Sequence, residues 1–150
     1  MSCKFGPFVI KTLAVKIESD FTQSLIEVEN SNTQEKRKLW HWLYKCWPDQ
    51  NIPKPTSLLA FFEKINASSE HCFTNPNSAP VIVHCSAGLG RAGTFVALAN
   101  CLAEFEDTGT VDLPSTITAI RSQRAHLVTT QKQYLFCYSL LLNTRHPANT

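Results

Sequence analysis

The sequence predicts an α/β domain in which a twisted mixed sheet is flanked by helices. Stretches rich in β-branched and aromatic residues, separated by polar turn clusters, fill the first third of the chain and predict an antiparallel meander. The remainder holds apolar residues at helical spacing. One short apolar run, Pro80–Val83, interrupts this helical part and is typical of a strand buried on both faces, as in a parallel sheet. We therefore expect the sheet to be mixed.

The individual elements follow from local patterns. The predicted strands of the meander are Phe8–Ile17, Phe21–Glu29 and Leu39–Tyr44, with a polar turn at Asn30–Thr33. The predicted helices run from Thr56 to about Asn66, from Gly93 to about Phe105, from Asp112 to about Arg124, and from Thr130 to about Leu142.

Length and charge narrow the class of protein. A chain of 150 residues is expected to form one domain with a core of its own. The net charge of +2 comes without a long Lys/Arg run, which argues against a dedicated nucleic-acid-binding protein. The short basic cluster Lys36–Lys38 follows Glu35, and a solvated turn is its expected structure.

The cysteines and the N-terminus indicate an intracellular location. No two of the six cysteines have CxxC spacing, so the sequence predicts neither a zinc site nor a thioredoxin-like motif. The N-terminus lacks the apolar core of a signal peptide, and no run reaches the ~18 apolar residues of a membrane span. We expect a cytoplasmic protein with free thiols, no membrane contact, and no metal or cofactor.

The stretch from Val81 to Gly93 carries the chemistry. Its apolar residues lead into Cys85, a turn rich in glycine follows, and Arg91 stands before an apolar helix. Backbone N–H groups of such a turn can converge on an anion, and the helix N-terminus reinforces them. A thiolate at this position could attack phosphorus. The candidate phosphate-binding residues are Ser86, Ala87, Gly88, Leu89, Gly90 and Arg91.

Three segments together resemble the tyrosine-specific protein tyrosine phosphatases. His84–Arg91 resembles their active-site loop, which has His-Cys followed by Gly and Arg at fixed offsets. Trp47–Asp49 looks like their mobile loop, and Val128–Tyr134 resembles their glutamine-bearing loop. The similarity covers roughly residues 5 to 142, and it implies a partial catalytic domain, namely its C-terminal portion, with the N-terminal part absent.

The resemblance implies a metal-free reaction on phosphotyrosine-containing proteins. Cys85 would be the nucleophile that forms a cysteinyl-phosphate, Arg91 would bind phosphate, and Asp49 would protonate the leaving phenol. Gln133 would contribute to substrate binding, while His84 and Trp47 would support the site. The resemblance leaves the oligomeric state open.

Structural interpretations of the same residues remain alternatives. Cys85 could be a small buried hydrophobe, and Asp49 could be an ordinary turn aspartate. His84 could be a metal ligand, a base or a core histidine that orients the loop. Gln133 could be no more than a member of a capping box with Thr130.

Two substitutions set this chain apart from the family pattern. Ala92 stands where a Ser or Thr hydroxyl normally helps the thiolate to leave. Thr129 stands where a glutamine normally positions the hydrolytic water. Both changes fall on phosphoenzyme hydrolysis, so two hypotheses compete: a phosphatase with a slow second step, and a pseudophosphatase that binds or traps phosphotyrosine proteins. The segment Trp47–Asp49 argues against a third class, the dual-specificity phosphatases.

Overall fold

A computed structural model describes residues 2–48, 51–68 and 80–145 of the chain. The chain divides into two compact units, Met1–Cys46 and Trp47–Thr150. The described part of the first unit is built from strands, and that of the second from helices. The predicted α/β class is therefore confirmed.

The first unit is an antiparallel meander. Its strands are β1 (Ser2–Phe5), β2 (Phe8–Ile17), β3 (Phe21–Asn30) and β4 (Lys36–Tyr44), and each pairs with the next in sequence. The three strands expected from the sequence are confirmed, β2 with both of its ends. Strand β1 is an addition to those three; it joins β2 through a tight turn, so that Phe5 pairs with Phe8.

The basic cluster at Lys36–Lys38 forms the start of β4, so the predicted turn is wrong. Cross-strand neighbours explain the strand: Lys36 pairs with Glu29, and Lys38 pairs with Glu27. The Lys36 Nζ lies 3.1 Å from the Glu29 carboxylate. The hydrogen bond to Glu29 raises the pKa of Lys36 above its ordinary value, and the charge of Glu29 adds to this. Opposite charges across an antiparallel pair stabilise exposed strand structure.

The second unit contains four helices in its described part. They are α1 (Pro55–Ala67), α2 (Gly90–Thr108), α3 (Leu113–Gln123) and α4 (Gln131–Arg145), all in the predicted order. Helix α2 packs against both α3 and α4. On another side, Phe95 of α2 stacks on Phe62 of α1, with ring centroids 4.4 Å apart. The most deeply buried apolar side chains in the described part of this unit are those of Leu58, Ala97, Leu98, Cys101, Cys137 and Leu140.

The segment Pro80–Val83 does not form the predicted buried strand. It has no strand pairing, and the side chain of Ile82 is 87% exposed. A strand of this kind pairs with neighbouring strands along its edges and is covered by other elements on both faces. Within residues 2–48, 51–68 and 80–145, all strand pairs are antiparallel and belong to the meander.

None of the helices in this described part is long and apolar enough to cross a membrane.

Candidate functional site

The loop that follows Cys85 runs directly into helix α2. The helix begins at Gly90, three residues earlier than predicted, so Arg91 lies in its first turn. The first N–H groups of a helix have no acceptor within the helix and carry a partial positive charge. The loop and the helix start therefore present a set of backbone donors close to the Cys85 thiol.

Backbone donors surround the half-buried thiol of Cys85. The Gly88 N–H donates to the Cys85 Sγ at 3.2 Å. Burial raises the pKa of this thiol, but the N–H groups of Ala92, Gly88, Leu89 and Ala87 lower it, and the net result is a pKa below the ordinary value. Hydrogen bonds to the charged form favour that form. The loop therefore stabilises a thiolate with main-chain atoms.

Two guanidinium groups lie against this loop. The Arg91 Nη2 donates to the Ser86 Oγ at 3.0 Å, across the mouth of the loop. The Arg124 Nη2 lies 3.5 Å from the Ala87 carbonyl oxygen. Gly88 has a φ of +68°, and a Cβ atom there would lie 3.2 Å from the same Arg124 nitrogen. Both its backbone conformation and its neighbour explain a glycine at this position.

The start of α4 forms a capping box. The Thr130 Oγ1 accepts a hydrogen bond from the Gln133 N–H at 3.1 Å. In return, the Gln133 Oε1 accepts from the Thr130 N–H at 3.3 Å and from the Thr129 N–H at 3.1 Å. The Thr129 hydroxyl donates to the same oxygen at 3.2 Å. The capping-box interpretation of Gln133 is confirmed, and its buried amide is held in one orientation.

Gln133 also lies against the loop. A Cβ atom at Gly90 would lie 3.0 Å from the Gln133 Nε2 and 2.7 Å from the Thr129 Oγ1. Glycine is required here because the backbone approaches these side chains closely. Gln133 therefore both caps α4 and lies against the loop. Local sequence patterns indicate only the cap.

A second contact to the loop comes from the segment before α4. The Val128 N–H donates to the Leu89 carbonyl oxygen at 3.2 Å. Val128 has a φ of +60°, which is unusual for a β-branched residue and costs on the order of 1–3 kcal/mol. The side chain of Arg121 binds the segment: its Nε donates to the Leu127 carbonyl at 2.8 Å, and its Nη2 to the Val128 carbonyl at 2.9 Å.

Gly93 allows this segment to pack on α2. A Cβ atom at Gly93 would lie 2.6 Å from the Val128 backbone nitrogen. The contacts of Arg121 and Gly93 go beyond what the sequence predicted. The signals that could have indicated them are the break in helical pattern near Leu127 and a glycine inside an otherwise apolar helix.

The remaining predicted site residues have different outcomes. The Trp47 Nε1 donates to the Asn51 carbonyl at 2.9 Å, and its ring contacts Phe136 of α4 edge-on, with centroids 6.4 Å apart. Asp49, the predicted proton donor, lies outside the described residues. His84 is exposed, so its interpretation as a core histidine is wrong. The exposed Ile82 nearby shows why: the preceding segment is not packed in a sheet.

The chemistry of the donors suits an anion. Within the described part of the chain, no group of three or more His, Cys, Asp or Glu side chains is placed to hold a metal ion. The cysteines described there are free thiols: Cys3, Cys46, Cys85, Cys101 and Cys137. Converging N–H groups and a guanidinium can bind a dianion while a thiolate faces it.

Comparison with known proteins points the same way. The family model described as protein-tyrosine phosphatase matches residues 1–143. The non-receptor type 9 tyrosine-protein phosphatase of Rattus norvegicus is 32% identical, with 93% of this chain and 25% of that protein covered. Tyrosine phosphatase H3 of Microplitis demolitor bracovirus is 36% identical, with coverages of 89% and 43%. The rat non-receptor type 2 enzyme is 35% identical, with coverages of 90% and 32%. The chain thus spans less than half the length of these relatives.

Proposed function

The chain belongs to the protein-tyrosine phosphatase family, and we propose that it dephosphorylates phosphotyrosine in proteins through a cysteinyl-phosphate on Cys85. One observation carries this proposal: the Gly88 N–H donates to the Cys85 Sγ at 3.2 Å, and it is one of the backbone N–H groups of the loop and helix start that lower the pKa of this thiol despite its burial. A thiolate is the nucleophilic form of cysteine. The same N–H groups would bind the oxygens of a phosphate that approaches the sulfur.

In the first proposed step, the Cys85 Sγ attacks phosphorus and forms an S–P bond while the P–O bond to tyrosine breaks. The phenol leaves poorly as an anion, because its pKa is ~10. Asp49 therefore transfers its proton to the phenol oxygen, the role that the family resemblance implies for it. Arg91 binds two equatorial oxygens, for which a planar guanidinium is suited.

In the second proposed step, water attacks the phosphorus of the intermediate and gives a proton to the Asp49 carboxylate that the first step left. The S–P bond breaks, inorganic phosphate is released and the thiolate is restored. Ala92 offers no hydroxyl to the departing sulfur, although its N–H contributes to the lowered pKa of Cys85. Thr129 has its hydroxyl hydrogen-bonded to Gln133. We therefore expect hydrolysis of the intermediate to be the slow step.

The alternative is a protein that binds or traps phosphotyrosine proteins without releasing phosphate. Ala92 and Thr129 favour it, since both substitutions affect release and leave the binding loop intact. The chain spans only 25% to 43% of the relatives' lengths. We propose that it is a partial phosphatase catalytic domain, as the family resemblance implies. Free thiols in the described residues suit the cytoplasm, which is the compartment we propose.

Turnover of a phosphotyrosine peptide by the purified chain tests the proposal. We expect measurable phosphate release from the wild type and none from Cys85→Ser, with peptide binding retained. Asp49→Ala should lower the rate of the first step, since the phenol then leaves without a proton. Cys3→Ser, at an exposed position of β1, is the matched cysteine control and should behave as wild type.

The outcomes separate the two functions. Phosphate release that survives in Cys85→Ser would refute a cysteinyl-phosphate mechanism. If the wild type and Cys85→Ser are both inactive but both bind the peptide, the trapping function is correct. Absence of both binding and turnover would refute both functions for this chain.

A further inference from the structure

Val128 adopts a conformation that its own side chain disfavours. It is a β-branched residue with a φ of +60° and an exposed fraction of 2%. Residues of this kind remain in the left-handed region only where neighbouring atoms fix the backbone. The atoms that hold Val128 therefore determine the geometry of the segment before α4.

Arg121 supplies the contacts that hold it. Its Nε and Nη2 donate to two consecutive carbonyl oxygens, those of Leu127 and Val128, at 2.8 and 2.9 Å. A guanidinium offers these two donors in one rigid plane, whereas a lysine ammonium is a single point of attachment. The pair of bonds fixes the orientation of both peptide groups around Val128.

The fixed Val128 in turn reaches the Cys85 loop. Its N–H donates to the Leu89 carbonyl oxygen at 3.2 Å, and the Gly93 N–H donates to the same oxygen at 2.9 Å. The N–H of Leu89 is one of the groups that favour the Cys85 thiolate. The carbonyl and the N–H of Leu89 belong to adjacent, nearly rigid peptide planes. With the carbonyl anchored, the Leu89 N–H can turn away from the thiol only by rotation about the φ and ψ angles of Leu89.

We propose that Arg121 is a positioning residue for the Cys85 loop, acting through the left-handed conformation of Val128 and its hydrogen bond to Leu89. The effect on catalysis rests on the proposed phosphatase function, but the positioning itself does not. Within the described part of the chain, the charged side chains with a hydrogen bond to this loop are those of Arg91 in α2 and Arg124 at the end of α3. The substitutions below leave both in place, as well as His84 before the loop.

The test is the pH dependence of Cys85 alkylation by iodoacetamide, followed by mass spectrometry of the peptide that contains Cys85. Since iodoacetamide reacts with the thiolate, the rate below neutral pH reports its population. We expect Arg121→Gln to slow alkylation at pH 6 roughly fivefold, the effect of weakening one hydrogen bond to a charged group. Arg121→Lys should lie between Arg121→Gln and the wild type. Arg37→Gln, at an exposed position of β4 in the other unit, should have no effect.

A double-mutant cycle identifies the route. Glycine adopts a positive φ without strain, so Val128→Gly removes the need for a clamp. We therefore expect Arg121→Gln to have little further effect on Cys85 in a Val128→Gly background. An equal effect in both backgrounds would refute the route through Val128.

Urea unfolding is a further measurement that separates a loss of stability from a change at Cys85. It identifies a variant that does not fold. If Arg121→Gln does not fold, the alkylation rate of Arg121→Lys tests the proposal instead. An unchanged alkylation profile in the folded variant would overturn the proposal. Because alkylation requires no phosphatase turnover, an inactive wild type refutes the proposed function without affecting this result.

Discussion

Gly93→Ala should destabilise the helical unit and release the segment at Val128 from α2. The new Cβ would lie 2.6 Å from the Val128 backbone nitrogen and 3.0 Å from the Leu127 Cβ. The first distance is about 0.8 Å short of ordinary van der Waals contact. Both neighbours belong to a segment that Arg121 holds, so neither can yield by rotation of a flexible side chain.

The magnitude follows from two opposing terms. Overpacking a tightly filled site costs typically about 1–3 kcal/mol. Replacing glycine by alanine inside a helix contributes about 0.5–1 kcal/mol in the other direction. We therefore expect the free energy of unfolding to fall by about 1–2 kcal/mol. The Val128–Leu89 hydrogen bond, already long at 3.2 Å, should weaken further, and alkylation of Cys85 at pH 6 should slow.

Gly109→Ala is the matched control. Gly109 has a φ of +71° at the C-terminal end of α2, and nothing lies within 4 Å of a Cβ there. Alanine in the left-handed region costs roughly 1–2 kcal/mol, so this variant should lose similar stability without altering Cys85. Urea unfolding and Cys85 alkylation are measured on both. If Gly93→Ala is as stable as the wild type and its Cys85 is alkylated at the wild-type rate, the close contact between Gly93 and Val128 is refuted.

Other changes should have separable effects. Ala92→Thr should leave the initial burst of phenol release intact and speed the slower phase, as followed by stopped flow with an aryl phosphate; equal rates in both phases of the wild type would contradict a slow second step. Gln133→Ala leaves the N–H groups of Thr129 and Thr130 without their acceptor and should lower the free energy of unfolding by about 2 kcal/mol in urea, while the exposed Gln131→Ala should stay within about 0.5. Hydrogen bonds from the Ser115 N–H and hydroxyl lower the pKa of Asp112. Asp112→Ala should therefore reduce the melting temperature at neutral pH. That difference should disappear as the pH falls through the lowered pKa, and a constant difference down to pH 2 would contradict it.

Local patterns were sufficient for much of the fold. Strand β2 was predicted with both ends, because β-branched composition and polar turns are properties of neighbouring residues. The four helices were also predicted, from apolar spacing, a first-turn proline and a capping box. The structure adds that Asp112 caps α3 by accepting a hydrogen bond from the Ser115 N–H. The weaker predictions depended on distant partners. Strand β1 has only four residues and is defined by its pairing with β2.

The error at Pro80–Val83 has the same origin. An apolar run indicates a preference for burial, but the strands that pair with it and the elements that cover it come from elsewhere in a chain. At the site, the residues from Cys85 to Arg91 are contiguous, so the loop could be located from sequence alone. The contact of Gln133 with Gly90 joins residues far apart in sequence. Val128 in a left-handed conformation even opposes the local preference of its residue type.

Ala92 allows the two proposed chemical steps to be considered separately. The groups that lower the pKa of Cys85 are backbone N–H groups, among them that of Ala92 itself. A change of side chain at this position leaves its N–H in place, so the loss of a hydroxyl does not by itself weaken thiolate formation or phosphate binding. The hydroxyl would act only later, when sulfur leaves phosphorus. A chain with Ala92 should therefore still bind phosphotyrosine and form the cysteinyl-phosphate, but hydrolyse it slowly. Substitution of residue 92 is then the simplest way to speed the proposed second step.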